Sequence, residues 1–374
     1  MLHAVLSDRK SGLPRDMKST PVPQVSEDAA LHANWIASWL YLMATMVFAM
    51  VVLGGITRLT HSGLSMVEWR PITGWLPPLT EPDWQVVFEK YKTFPEYKEL
   101  NEGMTLSGFK GIFWLEFLHR LWGRIIGGAF LLPFVFFVLR GWVNRRLAIK
   151  LGALFVLGGL QGVMGWYMVK SGLVDEPDVS QYRLAAHLCL ALLIIVALIW
   201  VARGLNGGYQ AQWHERDSEA ILWFRRAAGG IVVLVFITAF SGALVAGLDA
   251  GLTYNTFPLM DGEWIPEGMY ALAPFYLNLF ENVTTVQFDH RVLAVSTFLC
   301  VVSFWFASKS RDFSGSLVWA INVMACVVVV QVGLGIATLL LVVPVSLAAL
   351  HQAVAVLLLA SATWVFRELT SPGK

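Results

Sequence analysis

Residues 113–125 read FWLEFLHRLWGRI. Most of this stretch is aromatic or aliphatic, as in a helix buried in lipid or in a core. Yet it holds Glu116, His119, Arg120 and Arg124. Ionisable groups inside a membrane are expensive and point to function. The surrounding composition says which environment applies. The chain of 374 residues is 56% hydrophobic and only 14% charged, with 16 Trp and 23 Phe. A soluble domain carries about 25% charged residues. Together with a mean hydropathy of +0.61, this is the composition of a polytopic, all-α membrane protein. The net charge of +1 gives no reason to expect a nucleic-acid partner. Cys189, Cys300 and Cys326 lie inside apolar runs without metal-site or disulfide-like spacing, so they read as small buried hydrophobes.

Working outward, eight segments have the length of a span, near 35–57, 113–139, 147–169, 182–203, 221–246, 286–308, 316–341 and 345–366. Lys and Arg set their orientation. Arg140, Arg145, Arg146 and Lys150 lie between spans 2 and 3, and Arg203, Arg216, Arg225 and Arg226 between spans 4 and 5. Lys309 and Arg311 follow span 6, whereas 247–284 has neither Lys nor Arg. Both termini are therefore expected on the cytoplasmic side. Residues 1–34 read as a polar, disordered cytoplasmic tail without the apolar core of a signal peptide. Arg9, Lys10, Arg15 and Lys18 leave a mitochondrial targeting segment open, and Asp8 and Asp16 weigh against it. In the long outer loop 58–112, Trp84, Val87, Phe88 and Tyr91 follow helical spacing. They predict an amphipathic helix that lies on the outer surface or caps the bundle.

The chain also resembles itself. LHR at 118–120 matches DHR at 289–291, and LQGVMG at 160–165 matches VQVGLG at 330–335. GGITRLTHSGLS at 54–65 resembles GALVAGLDAGLT at 242–253, and RLAAHLCLAL at 183–192 resembles SLAALHQAVAV at 346–356. Two fused pseudo-symmetric four-helix bundles are expected, 35–205 and 206–374, repeated in parallel.

His119, His187, His290 and His351 open spans 2, 4, 6 and 8 at a common depth, roughly 8–10 Å below the outer edge. One such histidine is as well explained by a helix–helix hydrogen bond. Four at one depth, two per repeat, favour metal ligation. A zinc site would need further ligands that neither half supplies. Haem iron needs only two axial imidazoles. Arg120 and Arg291, each beside a histidine, are placed to pair with propionates or to snorkel. Arg124 is a further propionate or ion-pair partner. Glu116 shares a helix face with His119, whereas Gln287 holds that position before His290. A carboxylate can exchange a proton and an amide cannot, so the reaction is expected in the first half and a bound cofactor in the second. An ion pair of Glu116 with Arg120 is the competing explanation. His61 aligns with Asp249 and reads as a loop residue, and His3, His32 and His214 carry no signal.

These residues resemble the haem A synthase family over nearly the whole chain after the tail. The resemblance rests on GGITRLTHSGLSMVEWRPITGWLPP at 54–78, EFLHR at 116–120, the span-4 histidine, HR at 290–291 and the last-span histidine. The outer loop is most similar to the mitochondrial and proteobacterial branch. The resemblance implies oxidation of the C8 methyl of haem O to a formyl group, through a hydroxymethyl intermediate and a gem-diol, for cytochrome oxidase biogenesis. The oxygen comes from water or dioxygen. Glu116 is then the catalytic carboxylate, His119 and His187 hold the substrate haem, and His290 and His351 hold a haem b cofactor. Another branch has an outer-loop cysteine pair, which this chain lacks. Haem O synthase, an electron donor or acceptor and membrane lipid are the implied partners, and a homo-oligomer is compatible. The implied location is a bacterial cytoplasmic membrane, with the mitochondrial inner membrane as the second choice. Two rivals remain. One is a di-haem b-type electron-transfer protein without substrate oxidation. The other is a haem or ion transporter, whose usual signature is inverted repeats and a midplane site.

Overall fold

The computed structural model describes residues 27–69, 73–173, 179–205, 218–313 and 315–370. The first 26 residues of the expected tail, His3, His214, Arg216 and positions 70–72 of the outer loop lie outside them. The helices are α1 (Glu27–Leu59), α2 (Glu81–Tyr91), α3 (Pro95–Leu100), α4 (Leu106–Leu139), α5 (Arg145–Gly172) and α6 (Gln181–Leu205). They continue with α7 (Ser218–Gly247), α8 (Asn278–Glu281), α9 (Val283–Ser308), α10 (Gly315–Leu340) and α11 (Val345–Thr370). No β-strand occurs among the described residues. Eight helices, α1, α4 to α7 and α9 to α11, are long and apolar enough to cross a membrane. Each covers one expected span.

Two helices start well before the apolar segment that marks them. Helix α1 begins at Glu27, inside the expected tail, with Glu27 and Asp28 in its first turn. Acidic groups there complement the helix dipole. On this polar extension His32 stacks on Trp142 at 4.1 Å. Helix α4 begins at Leu106, where Thr105 Oγ1 accepts a hydrogen bond from Gly108 N–H at 3.2 Å. Its added turns carry Phe109, which meets α2 together with Phe113 at the start of the expected span. Hydropathy detects only the part of a helix that lipid solvates, so both extensions escape it.

Helix α2 forms where the period of Trp84, Phe88 and Tyr91 places it, and all three are buried. Thr80 and Asp83 cap its start reciprocally. The Thr80 hydrogen bonds hold the Asp83 carboxyl below its ordinary range. Trp84 meets Phe113 edge-on at 4.9 Å, and Phe88 stacks on Phe109 at 5.0 Å. The amphipathic helix therefore packs on the projecting end of α4.

Neighbouring spans pair in a regular order. Helices α4 and α6 each pack on both α1 and α5, and α9 and α11 each pack on both α7 and α10. The seam between these sets runs along α6–α7, α6–α11 and α1–α11. Buried Leu40, Met43, Ile195, Leu198, Ile321 and Leu359 belong to one core that runs through both sets. In lipid such packing is held by dispersion contacts rather than by exclusion of water.

Polar ties cross the seam at both ends. At the histidine end, Arg58 pairs with Asp249 at 3.6 Å and donates to the Ala246 carbonyl at 3.4 Å. Nearby, Gln352 donates to the Val51 carbonyl at 3.2 Å. At the opposite end Arg203 of α6 pairs with buried Glu368 of α11. There Arg203 lies 4.8 Å over Trp364 and Arg367 lies 5.0 Å over Trp200.

The cysteines need a correction. Cys189 is half-buried on α6, but Cys300 and Cys326 are exposed on α9 and α10. A helix face turned to lipid is as apolar as a core, so a thiol fits there without burial.

Candidate functional site

All four span histidines point inward, and each ring rests on a glycine of a neighbouring helix. A Cβ built on Gly54 of α1 meets His119 Nε2 at 3.3 Å, and one on Gly165 of α5 meets His187 Cε1 at 3.3 Å. In the other half, Gly242 of α7 meets His290 Cε1 at 3.1 Å and Gly335 of α10 meets His351 Cε1 at 2.9 Å. Real Cβ atoms rarely come this close, so the missing side chain is what admits each ring. The four glycines all lie five to seven residues before the end of their helices. This fixes the rings at a similar height, although His119 stands thirteen residues into α4 and the others only six or seven into theirs. The difference is the projecting end of α4.

The rings are paired. His119 and His187 lie within electrostatic reach of each other, as do His290 and His351. Among the described residues, no group of three or more His, Cys, Asp or Glu converges.

Their polar surroundings differ. Gln161 Nε2 lies 3.4 Å from His187 Nε2 and donates to the His187 carbonyl at 3.1 Å. Gln331 Nε2 lies 3.4 Å from His351 Nε2. The Nδ1 atoms of His187 and His351 are buried without a partner. Ser241 Oγ lies 2.8 Å from His290 Nδ1 and itself donates to the Thr238 carbonyl at 2.8 Å. These glycines, glutamines and the serine are the residues that sequence reasoning missed. Their signal was present: Gly54 and Gly242 open one repeated segment, and Gln161, Gly165, Gln331 and Gly335 occupy matched positions of another.

Glu116 and Gln287 occupy equivalent places and do equivalent work with opposite polarity. Glu116 is 2% exposed. Its Oε2 accepts from Ser65 Oγ at 2.7 Å and from Met66 N–H at 2.5 Å, and its Oε1 pairs with Arg120. Gln287 Nε2 instead donates to the carbonyls of Ala250 at 2.8 Å and Thr253 at 3.0 Å. At this position the first loop presents donors and the second presents acceptors. A carboxylate suits one and an amide the other, so loop polarity is a structural cause of the difference between the halves. The expected Glu116–Arg120 ion pair is present.

The arginines complete both loop attachments. Arg120 donates to the Met66 carbonyl at 2.8 Å and the Glu68 carbonyl at 3.0 Å. Arg291 donates to the carbonyls of Tyr254 at 2.6 Å and Thr256 at 2.8 Å. Arg124 lies 5.9 Å over the Trp75 ring. His61 is exposed beyond the end of α1. Its positive φ of 48° matches the 49° of Asp249, the residue it aligns with.

Comparison with known proteins adds an independent line. A family model described as cytochrome oxidase assembly protein, COX15-CtaA, matches residues 37–363. The haem A synthase of Nitrosospira multiformis is 50% identical over 353 residues, covering 94% of this chain and 98% of that protein. The haem A synthase of Parvibaculum lavamentivorans is 49% identical over 337 residues, 90% of this chain and 94% of its own. Mouse haem A synthase COX15 is 45% identical over 340 residues, 89% of this chain and 82% of its own.

Proposed function

The chain belongs to the COX15-CtaA family of cytochrome oxidase assembly proteins, and from that premise we propose that it is a haem A synthase. It is a multi-pass membrane oxidoreductase that converts haem O to haem A. The observation that carries the reading to residues is the two histidine pairs, each ring seated on a glycine. Haem fits these pairs. It brings four nitrogens of its own and asks the protein for one or two imidazoles. The Nδ1 atoms of His187 and His351 are buried without a partner, so the protein alone does not satisfy these rings, as expected of a site that takes a further group.

In this reading His119 and His187 hold the substrate haem O, and His290 and His351 hold haem b. Haem b supplies a one-electron carrier beside the reaction. The chain's own groups hold and orient. Glu116 is the reaction's carboxylate. Three donors fill part of its capacity of about four lone pairs, and Oε1, which among the described residues faces Arg120, keeps room to accept a hydrogen bond from water or a substrate hydroxyl. Oxidation of the C8 methyl to hydroxymethyl, then to a gem-diol that loses water, needs such an acceptor. Arg120 spends three of its five N–H donors on the first loop and Glu116. Its remaining donors are available to a propionate, whereas Arg291 makes four such bonds in the second half and keeps only its buried Nε–H.

The order of helix pairing supports two four-helix bundles, 35–205 and 206–374. The Lys and Arg distribution supports cytoplasmic termini in a bacterial inner membrane. An electron acceptor and haem O synthase are the partners this chemistry requires.

The test is the identity and number of haems in the purified protein, with pigment extraction from cells supplied with haem O. His290→Ala and His351→Ala should each lose haem b absorbance. An unchanged spectrum in both would end the cofactor assignment.

A further inference from the structure

Resting on the reading that the four histidines are axial ligands, we propose that His119 is the exchangeable ligand of the first half, and that Ser241 makes His290 a fixed one. A six-coordinate iron offers no open position, so an enzyme that uses such a site gains by having one weakly held imidazole. The four rings differ in the way this requires. Beyond its iron nitrogen, a ligating histidine is normally oriented by a hydrogen bond that fixes its tautomer and strengthens it as a ligand.

His290 has such a bond. The Ser241 hydroxyl has one proton, which it gives to the Thr238 carbonyl at 2.8 Å. Its oxygen is then an acceptor for His290 Nδ1–H at 2.8 Å. That leaves Nε2 with its lone pair for iron. Ser241 is 6% exposed, so water does not compete well for it. In His351 and His187 a glutamine amide lies 3.4 Å from Nε2 and Nδ1 has no partner, so these rings are held less firmly than His290. Among the described residues, no hydrogen bond holds the ring of His119. The repeat explains why. Gly54 corresponds to Gly242, so Leu53 stands where the second half has Ser241 and cannot donate or accept. His119 is packed against Gly54 by shape alone.

The consequence is an asymmetry independent of Glu116 and Gln287. His290 and His351 would both stay on haem b, which would serve as an electron carrier, whereas His119 would be the residue that lets go of the substrate haem, on the helix that carries Glu116.

Carbon monoxide reports this directly, because it binds reduced haem only where a ligand leaves. The assay uses the purified, haem-loaded protein reduced with dithionite, reading the fraction of bound haem that takes up CO and the haem retained after dilution. In the unaltered protein only first-half haem should react. Ser241→Ala should add second-half haem to the reactive fraction and weaken haem retention roughly tenfold. Ser241→Thr, which keeps the hydroxyl, should behave as the unaltered protein. Leu53→Ser supplies a hydroxyl beside His119 and should lower the reactive fraction. If Ser241→Ala changes neither CO uptake nor retention, or Leu53→Ser leaves CO uptake unaltered, the proposal is overturned. Failure of the histidine assignment looks different: His290→Ala and His351→Ala would then leave haem content unchanged.

Discussion

Glu116→Gln is the most informative single change, because the structure says what it does before any chemistry is considered. The substitution keeps the shape, removes the charge and turns one acceptor oxygen into a donor amide. Either orientation of that amide meets a donor: Arg120 on one side, Ser65 Oγ and Met66 N–H on the other. Breaking a buried ion pair by neutralising one partner costs about 3–5 kcal/mol. The loop at 62–69 should therefore open roughly 10²–10⁴-fold more often. Hydrogen exchange of the purified protein reads this at the Met66 amide, and extracted pigments read haem A. We expect lost Met66 protection, retained haem and no haem A. Unchanged Met66 protection would refute the hydrogen-bond argument, and normal haem A would remove Glu116 from the reaction. Ser65→Ala separates the two roles. It removes one donor to a charged group, worth about 1.5–3 kcal/mol, and leaves the carboxylate. It should loosen the loop and keep haem A; a loss equal to that of Glu116→Gln would assign the defect to the loop.

Two further outcomes follow from packing and charge. Gly335→Ala places a Cβ 2.9 Å from His351 Cε1, against 3.3 Å from His187 Cε1 for Gly165→Ala. Overpacking of this kind costs about 1–3 kcal/mol, so Gly335→Ala should lower haem affinity in a haem titration, and more than Gly165→Ala does. Glu368→Gln leaves Arg203 without its buried partner, for a loss of about 3–5 kcal/mol. Thermal unfolding should fall while the haem spectrum stays as it was, because this pair lies at the end remote from the histidines.

The eight spans were legible because length and hydropathy are properties of each segment alone. The ends of α1 and α4 were not, because a capping threonine and a Phe109–Phe88 contact extend a helix past the apolar run that reveals it. The four histidines were legible as a set only through the repeat. Their glycine seats lay inside segments already recognised as repeated, but a glycine shows nothing until a ring is known to rest on it. The difference between Glu116 and Gln287 is visible in the sequence, where it points to chemistry. The contacts give it a second cause, the hydrogen-bond polarity of Ser65 and Met66 against Ala250 and Thr253. That polarity depends on backbone direction in two loops, which no residue pattern encodes.

The ties along the seam have a mechanical consequence. Membrane carriers that expose a site alternately to two sides do so by rocking one half against the other. Here Arg58 with Asp249 fastens one end of the seam and Arg203 with Glu368 the other. A seam fastened at both ends has no free edge about which to pivot. The two histidine pairs are then held at one spacing, and under the proposed haem assignment electrons would cross a gap that does not change with turnover.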